Sequence, residues 1–451
     1  MPNKIQKLTK KYTLLKKSWT PQQNLFYGFF TYILLGFILL CLPIFQKGEA
    51  SILDHLFIST SAVSTTGLVT ISIFDTYNLF GQLIIMVLIQ LGGIGYLTFT
   101  TFMLLSTTRK MTLWHKKILS TEFTLPKTIK INDFLKSVIL FTFIMELIGA
   151  ILFFIAFKND GMPFLEALWS SIFHSISTFC TAGFSLFNNG FTDYVDNNFI
   201  NFIIAMLAIC GSLGFIVITD LGLWIKHKAH KISFTTKIIC YGFLILLTLG
   251  TLFFYFFEPS IIALSGKTRF LASFFQTMTT MTTVGFNTVD FGSFSQAMML
   301  ICIFLMYIGA SPSGTAGGIK ITTLTAVFAI LKSQLKGRKH ITFLGRIIPY
   351  ERLYTAMSAF IFYTIIILIG TFLITLTNDF SFENILFEVA SALGTVGVST
   401  GITAEINTFG KIVIIFLMFI GRLGVLTFGL AIWSRNIREE KKNFLTEDIA
   451  V

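Results

Sequence analysis

Charge is scarce in this sequence. Only 12% of its 451 residues are Asp, Glu, Lys or Arg, against about 25% in a typical soluble protein. Hydrophobic residues make up 54%, and Phe alone contributes 52. Too few polar groups remain to cover a soluble core of this size, so much of the apolar surface must face lipid. That excludes a soluble enzyme, and it excludes a disordered chain, which is poor in apolar residues. Cysteine is scarce too. Cys41, Cys180, Cys210, Cys240 and Cys302 form no C-x-x-C pair, which argues against a disulfide framework and a zinc site. His227 and His230 are near neighbours inside a basic stretch that reads as a solvated loop. The net charge of +12 would point to nucleic acid in a soluble protein. Here the placement of the charge matters more, and no nucleic-acid partner is expected.

What is abundant is long uncharged sequence. Strong spans are read at 25–45, 76–105, 137–157, 197–224, 238–257, 291–331, 353–376 and 412–434, near the roughly 20 residues needed to cross a bilayer or longer. The first follows a lysine-rich tail and is too long for a cleaved signal. Within each pair of spans lies a Ser-, Thr- and Gly-rich segment, at 55–74, 167–192, 270–289 and 389–404. Basic residues decide whether these cross. Of the 34 Lys and Arg, 27 lie in the N-terminal tail, 106–136, 226–237, 332–352 and the tail after Ser434. The positive-inside rule puts all five on the cytoplasmic side, so both termini are cytoplasmic and each unit crosses an even number of times. The Ser/Thr-rich segments are then re-entrant. Irregular backbone at membrane depth survives only against protein or water.

The four segments align without gaps on one tripeptide: Thr65-Thr66-Gly67, Thr181-Ala182-Gly183, Thr283-Val284-Gly285 and Thr395-Val396-Gly397. A large apolar residue follows each time (Leu68, Phe184, Phe286, Val398), and Asp54, Glu166 and Glu383 stand near the starts of three presumptive half-helices. The following spans share a second pattern, at Gly92-Gly93-Ile94-Gly95, Gly211-Ser212-Leu213-Gly214 and Gly421-Arg422-Leu423-Gly424, with Gly309 at the matching place in the third. Glycines are common in membrane helices, but that does not explain four tripeptides at one relative position. The expected fold is an all-α membrane protein of four parallel helix–re-entrant pore loop–helix repeats around a pseudo-fourfold central pore. Its units are a basic tail 1–24, repeats 25–105, 137–225, 238–331 and 353–434, and a tail 435–451.

Such loops have a chemistry. A dehydrated cation needs oxygens in place of water, and glycine cheaply adopts the dihedrals that turn successive carbonyls toward one axis. Half-helices ending there aim their negative C-terminal ends at the ion. No carboxylate lies in the tripeptides, which suits K+ rather than Mg2+ or Ca2+. On these residues the chain resembles the potassium-translocating subunits of the Ktr/Trk/HKT superfamily over about residues 25–435, with the filter glycines at Gly67, Gly183, Gly285 and Gly397. Within it the chain is most similar to the bacterial KtrB-like subunits, because Trk-type subunits usually carry an extra N-terminal helix pair. Some plant relatives with greater Na+ permeation have Ser in the first loop, where this chain has Gly67. The resemblance implies K+ uptake across a bacterial plasma membrane, a homodimer with two separate pores, and docking on a cytosolic nucleotide-binding regulatory ring of the KtrA or KtrC kind. Nucleotide is expected only on that partner, no cofactor is expected in this chain, and Na+ stays open as an activator. Each loop has one glycine where tetrameric channels have two, as in TVGYG. The outer carbonyl layers should therefore be irregular and the K+ preference weaker.

The third repeat is interrupted by Gly309-Ala310-Ser311-Pro312-Ser313-Gly314-Thr315-Ala316-Gly317-Gly318-Ile319-Lys320, where proline and four glycines forbid a straight helix. Ile319 spoils the phosphate-loop pattern. By resemblance the segment is a gating loop, and it is the only break expected among the second helices. Arg422, mid-helix, should face inward, because a lipid-facing Arg costs roughly 2.5–3.5 kcal/mol. The loop carbonyls are its natural partners. Two roles stay open for it: an electrostatic barrier to K+, or a structural tie. Lys320 is expected to snorkel, Glu146 to be satisfied by hydrogen bonds, and Asp220 to be structural. His174 lies among Ser171, Ser175 and Ser177 without an acidic partner and reads as part of a pore half-helix. A symporter with rocking inverted repeats, a membrane enzyme and a less selective cation channel are the rivals.

Overall fold

The computed structural model describes residues 19–95, 131–226, 231–309 and 311–433. Four times the chain runs through a long helix, a short helix, one of the tripeptides and a further helix. The long helices are α1 (Pro21–Leu40), α4 (Ile131–Asn159), α8 (Phe234–Phe257) and α12 (Tyr350–Thr375). Each is long and apolar enough to cross a membrane. They carry Leu35, Ile38, Phe143, Leu147, Leu244, Leu368 and Phe372 exposed on their outer faces, as helices bounded by lipid must. Their other faces pack on the short helices.

The short helices are α2 (Ile52–Ser64), α5 (Phe164–Phe179), α9 (Gly266–Thr282) and α13 (Phe382–Gly394). Ser51 caps α2 through a reciprocal bond with Asp54, and Ser381 caps α13. Asp54, Glu166 and Glu383 all lie in first turns, where the helix dipole favours an anion. These helices fall where the sequence reading places half-helices, and they are buried almost throughout their C-terminal halves.

The second helices depart from the sequence reading. They are α3 (Leu79–Ile94), α6 (Asn198–Ser212) with α7 (Phe215–Lys226), α10 (Gln296–Tyr307) with α11 (Ile321–Leu335), and α14 (Thr408–Leu423) with α15 (Val425–Trp433). The break in the third is not the only one. α6 and α7 meet at 92°, and α14 and α15 at 97°. The cause is the last glycine of each G-x-[IL]-G motif: Gly95, Gly214 and Gly424 have φ of +84°, +84° and +80°, a conformation in which a helix cannot continue. The third break differs in kind, since a loop is inserted there.

Two small strand pairs also qualify an all-helical reading. β1 (Ile308–Gly309) pairs in parallel with β2 (Ile319–Lys320) and closes the base of the inserted loop. β3 (Thr342–Phe343) pairs antiparallel with β4 (Arg346–Ile347) across Leu344 and Gly345, both at positive φ. Ala310, His227, His230, most of the basic stretch 106–136 and the tail beyond 433 lie outside the described residues.

Candidate functional site: a ring of four loops

Each tripeptide begins where its helix stops. Thr65, Thr181, Thr283 and Thr395 have φ of +51°, +49°, +58° and +48°. The left-handed turn costs roughly 1–2 kcal/mol for a residue with a side chain. It recurs four times, at the helix cap itself in the first, third and fourth units and one residue past the Cys180 cap in the second. The N–H of Thr66, Ala182, Val284 and Val396 returns to the carbonyls of Ser61, Ser177, Thr279 and Ser391 at 2.9, 2.8, 3.2 and 2.8 Å. The glycines follow at φ +95°, +69°, +81° and +91° for Gly67, Gly183, Gly285 and Gly397. The sequence pointed to glycine as the special residue; the left-handed threonines it did not signal.

The glycines meet in cyclic order. A methyl group added at Gly67 would lie 2.5 Å from the carbonyl oxygen of Ala182, and one at Gly183 2.9 Å from that of Val284. One at Gly285 would strike the carbonyl of Val396, and one at Gly397 that of Thr66. Each glycine thus abuts the middle carbonyl of the next loop, and the fourth closes on the first.

Polar side chains brace the strands leaving the ring. Seven residues before the tripeptide threonines stand His174, Gln276 and Glu388, all buried. His174 Nδ1 donates to Ser170 O at 2.7 Å, leaving Nε2 to accept from the Leu186 N–H at 3.2 Å. Gln276 donates to Val289 O at 2.6 Å. Glu388 accepts from Ser399 Oγ, the Thr400 N–H and Thr403 Oγ1 at 2.5, 3.0 and 2.7 Å. In the first unit Ile58 holds this place, and Asp54 instead accepts from Thr70 Oγ1 at 2.7 Å. His174 is a structural member of its half-helix, as expected. Gln276 and Glu388 were missed, although the gapless alignment would have placed them beside His174.

The inserted loop lies against the threonines. Thr181 Oγ1 donates to Thr315 Oγ1 at 3.0 Å, and the Gly317 N–H donates to Thr283 Oγ1 at 3.3 Å. The hydroxyls of Thr65 and Thr395 are buried without a partner among the described residues. A methyl added at Gly317 would collide with Thr395 Oγ1 and lie against Gly394. Ser311, Thr315 and Gly317 are buried, while Pro312, Ser313, Gly314 and Gly318 are half-buried.

Two cations hold the loop. Arg422 faces inward, donating to Thr315 O at 2.5 Å, to Gly93 O at 3.3 Å and to Gly92 O. Lys320 does not snorkel. Its Nζ turns back to Ala316 O at 2.6 Å and Gly317 O at 2.9 Å, carbonyls that the irregular loop turns within its reach. A cavity of 290 Å³ abuts the loop, lined in part by Gly95, Gly318, Lys320, Arg422 and Gly424. Elsewhere, Gln90 donates to Glu146 at 3.1 Å, and Asp220 accepts from the Ser233 N–H at 2.8 Å, the structural roles expected of both carboxylates.

The cation transport protein family TrkH matches residues 31–439. The Ktr system potassium uptake protein B of Bacillus subtilis is 35% identical over 415 residues, covering 91% of this chain and 92% of that protein. Its namesake from Vibrio alginolyticus is 33% identical, covering 89% and 88%. The potassium/sodium uptake protein NtpJ of Enterococcus hirae is 32% identical, covering 92% and 93%. The crystal structure of the potassium transporter TrkH from Vibrio parahaemolyticus matches the fold with a TM-score of 0.67, at 21% identity over 85% of this chain and 79% of that one.

Proposed function

The chain belongs to the TrkH family of cation transport proteins, a family of multi-pass membrane transporters rather than enzymes, and on that basis we propose that it carries K+ into a bacterial cell through a single pore lined by its four tripeptide loops. Thr66, Ala182, Val284 and Val396, with the flanking Thr65, Thr181, Thr283 and Thr395, supply carbonyl oxygens in place of the hydration shell. Gly67, Gly183, Gly285 and Gly397 let four loops approach one axis. The observation that carries this reading is the closed cycle of glycine against carbonyl. The half-helices add the negative ends of four dipoles at the ends of the loops. One chain furnishes every wall, so selectivity needs no tetramer. With one glycine per loop, discrimination is weaker than in a two-glycine channel filter.

Residues 309–318, with Lys320 and Arg422, form the gate. The support is contact: the loop touches the filter threonines, and two cations clamp its carbonyls. The four helix–loop–helix units run parallel, with both termini cytoplasmic, as the lysine distribution requires. The relatives named for a Ktr system support a multi-subunit assembly. In it this chain forms a homodimer and meets a cytosolic nucleotide-binding ring, with Na+ as an activator. The exposed Lys336, Arg338 and Lys339 beside the β3–β4 hairpin give that ring a basic face.

A second reading, a pore passing Na+ as well, draws on the potassium/sodium name of the Enterococcus relative. K+ uptake in cells lacking their own uptake systems, with Na+ as competitor, tests both. Saturable K+ uptake with Na+ excluded supports the first, and equal K+ and Na+ flux supports the second. Absence of either flux overturns both.

A further inference from the structure

Fourfold resemblance hides a twofold difference. Six residues before each filter glycine stands a fully buried hydroxyl: Ser61, Ser177, Thr279 and Ser391. In the first and fourth units it accepts the glycine's own N–H, Gly67 N to Ser61 Oγ at 3.0 Å and Gly397 N to Ser391 Oγ at 3.1 Å. In the second and third it does the opposite. Ser177 Oγ donates to Phe184 O at 2.8 Å, and Thr279 Oγ1 donates to Phe286 O at 2.6 Å. Phe184 and Phe286 are the residues just beyond the glycines. Their counterparts are Leu68 and Val398, whose carbonyls receive no hydrogen bond among the described residues.

Packing explains why the halves differ. Phe286 stacks edge-on to Phe191 at 4.8 Å between ring centroids, and the Phe191 N–H donates to Asn287 O at 3.2 Å. The second and third units are thereby locked to each other by aromatic rings, and each of their strands is also tied to its own half-helix by the Ser177 or Thr279 hydroxyl. The first and fourth units place the aliphatic Leu68 and Val398 at this position, so no ring contact forms there among the described residues.

We infer that the outermost oxygen layer of the filter is built from two adjacent units, through the carbonyls of Leu68 and Val398, and that the buried hydroxyls of Ser177 and Thr279 are positioning residues that withhold the other two. This rests on the filter reading above. A carbonyl already accepting a hydroxyl proton has one of its two lone pairs committed and is a weaker ligand for an ion. An arriving ion therefore meets two protein oxygens and keeps its water on the phenylalanine side. Full dehydration is deferred to the layer of four below. Ser61 and Ser391 act instead on that lower layer, since they fix the N–H of its glycines.

The experiment measures K+ uptake at varied K+, with Na+ as competitor, at matched surface abundance. Thr279→Val keeps the shape and removes the donor; Ser177→Ala removes the other. Each is expected to shift the KM for K+ by roughly three- to tenfold, the scale of one neutral hydrogen bond, with the K+ over Na+ preference retained. Thr279→Ser and Ser177→Thr keep the donor and should restore the normal KM. Ser61→Ala and Ser391→Ala should lower the preference instead. The inference is overturned if Thr279→Val and Thr279→Ser behave alike, or if all four positions lower the maximal rate with KM and preference unchanged. Failure of the unaltered chain to carry K+ would instead overturn the filter reading itself.

Discussion

Arg422 donates to the carbonyl oxygen of Thr315 at 2.5 Å, across 107 positions of sequence. Its second arm holds Gly92 and Gly93. One side chain of the fourth unit thus fastens the inserted loop of the third to a helix end of the first. Arg422→Ala removes the tie and leaves buried carbonyls unmatched, a loss of about 1–3 kcal/mol. The expected outcome is K+ uptake faster than in the unaltered chain and less dependent on a regulatory partner, read as initial uptake rate. An unchanged rate at normal abundance removes Arg422 from the gate.

Lys320 holds the next two carbonyls, Ala316 and Gly317. The two cations clamp three consecutive peptide groups, so their effects should not add. Lys320→Met alone should raise basal uptake. Combined with Arg422→Ala it should give less than the product of the two increases, because either change already frees the loop. A cycle of four uptake measurements checks this. Removal of residues 310–318 should give constitutive flux.

Gly285 tolerates no side chain: φ is +81°, and an added methyl would strike Val396 O. Gly285→Ser should cost most of the K+ over Na+ preference, roughly five- to thirtyfold for a penalty of 1–2 kcal/mol. Competition of Na+ against Rb+ uptake measures it. A preserved preference would remove this glycine from the filter.

Glu388 is fully buried and accepts three hydrogen bonds from the strand leaving the fourth loop. Glu388→Ala orphans those donors, and destabilisation of about 2–4 kcal/mol is expected, the scale for unmatched buried polar groups. Thermal aggregation in detergent should occur at lower temperature. Glu388→Gln, which keeps one acceptor oxygen, should fall between.

Lys411 and Asp54 approach to 3.7 Å across the join of the fourth and first units. The contact is long, and a partly solvated pair contributes roughly 0–1 kcal/mol. Lys411→Ala should leave uptake and thermal stability nearly unchanged. Asp54→Ala should cost about 1 kcal/mol more, since Asp54 also completes the α2 cap and accepts from Thr70.

Composition and local pattern decided much of this protein. Paucity of charge set its solvent, and the tripeptides could be aligned without coordinates because a backbone that must turn through left-handed dihedrals selects the same residue type each time. The same alignment held the positions of His174, Gln276 and Glu388. Tertiary structure decided the rest. Whether a glycine near a helix end bends the chain depends on what packs there, so the turns at Gly214 and Gly424 were not legible in motifs that also read as helix packing. The direction of a lysine amine depends on which oxygens lie in reach, and Lys320 found carbonyls of its own loop rather than water. Whether Ser177 donates and Ser61 accepts depends on where a neighbouring unit has drawn the strand, a long-range relation that no local run of residues records.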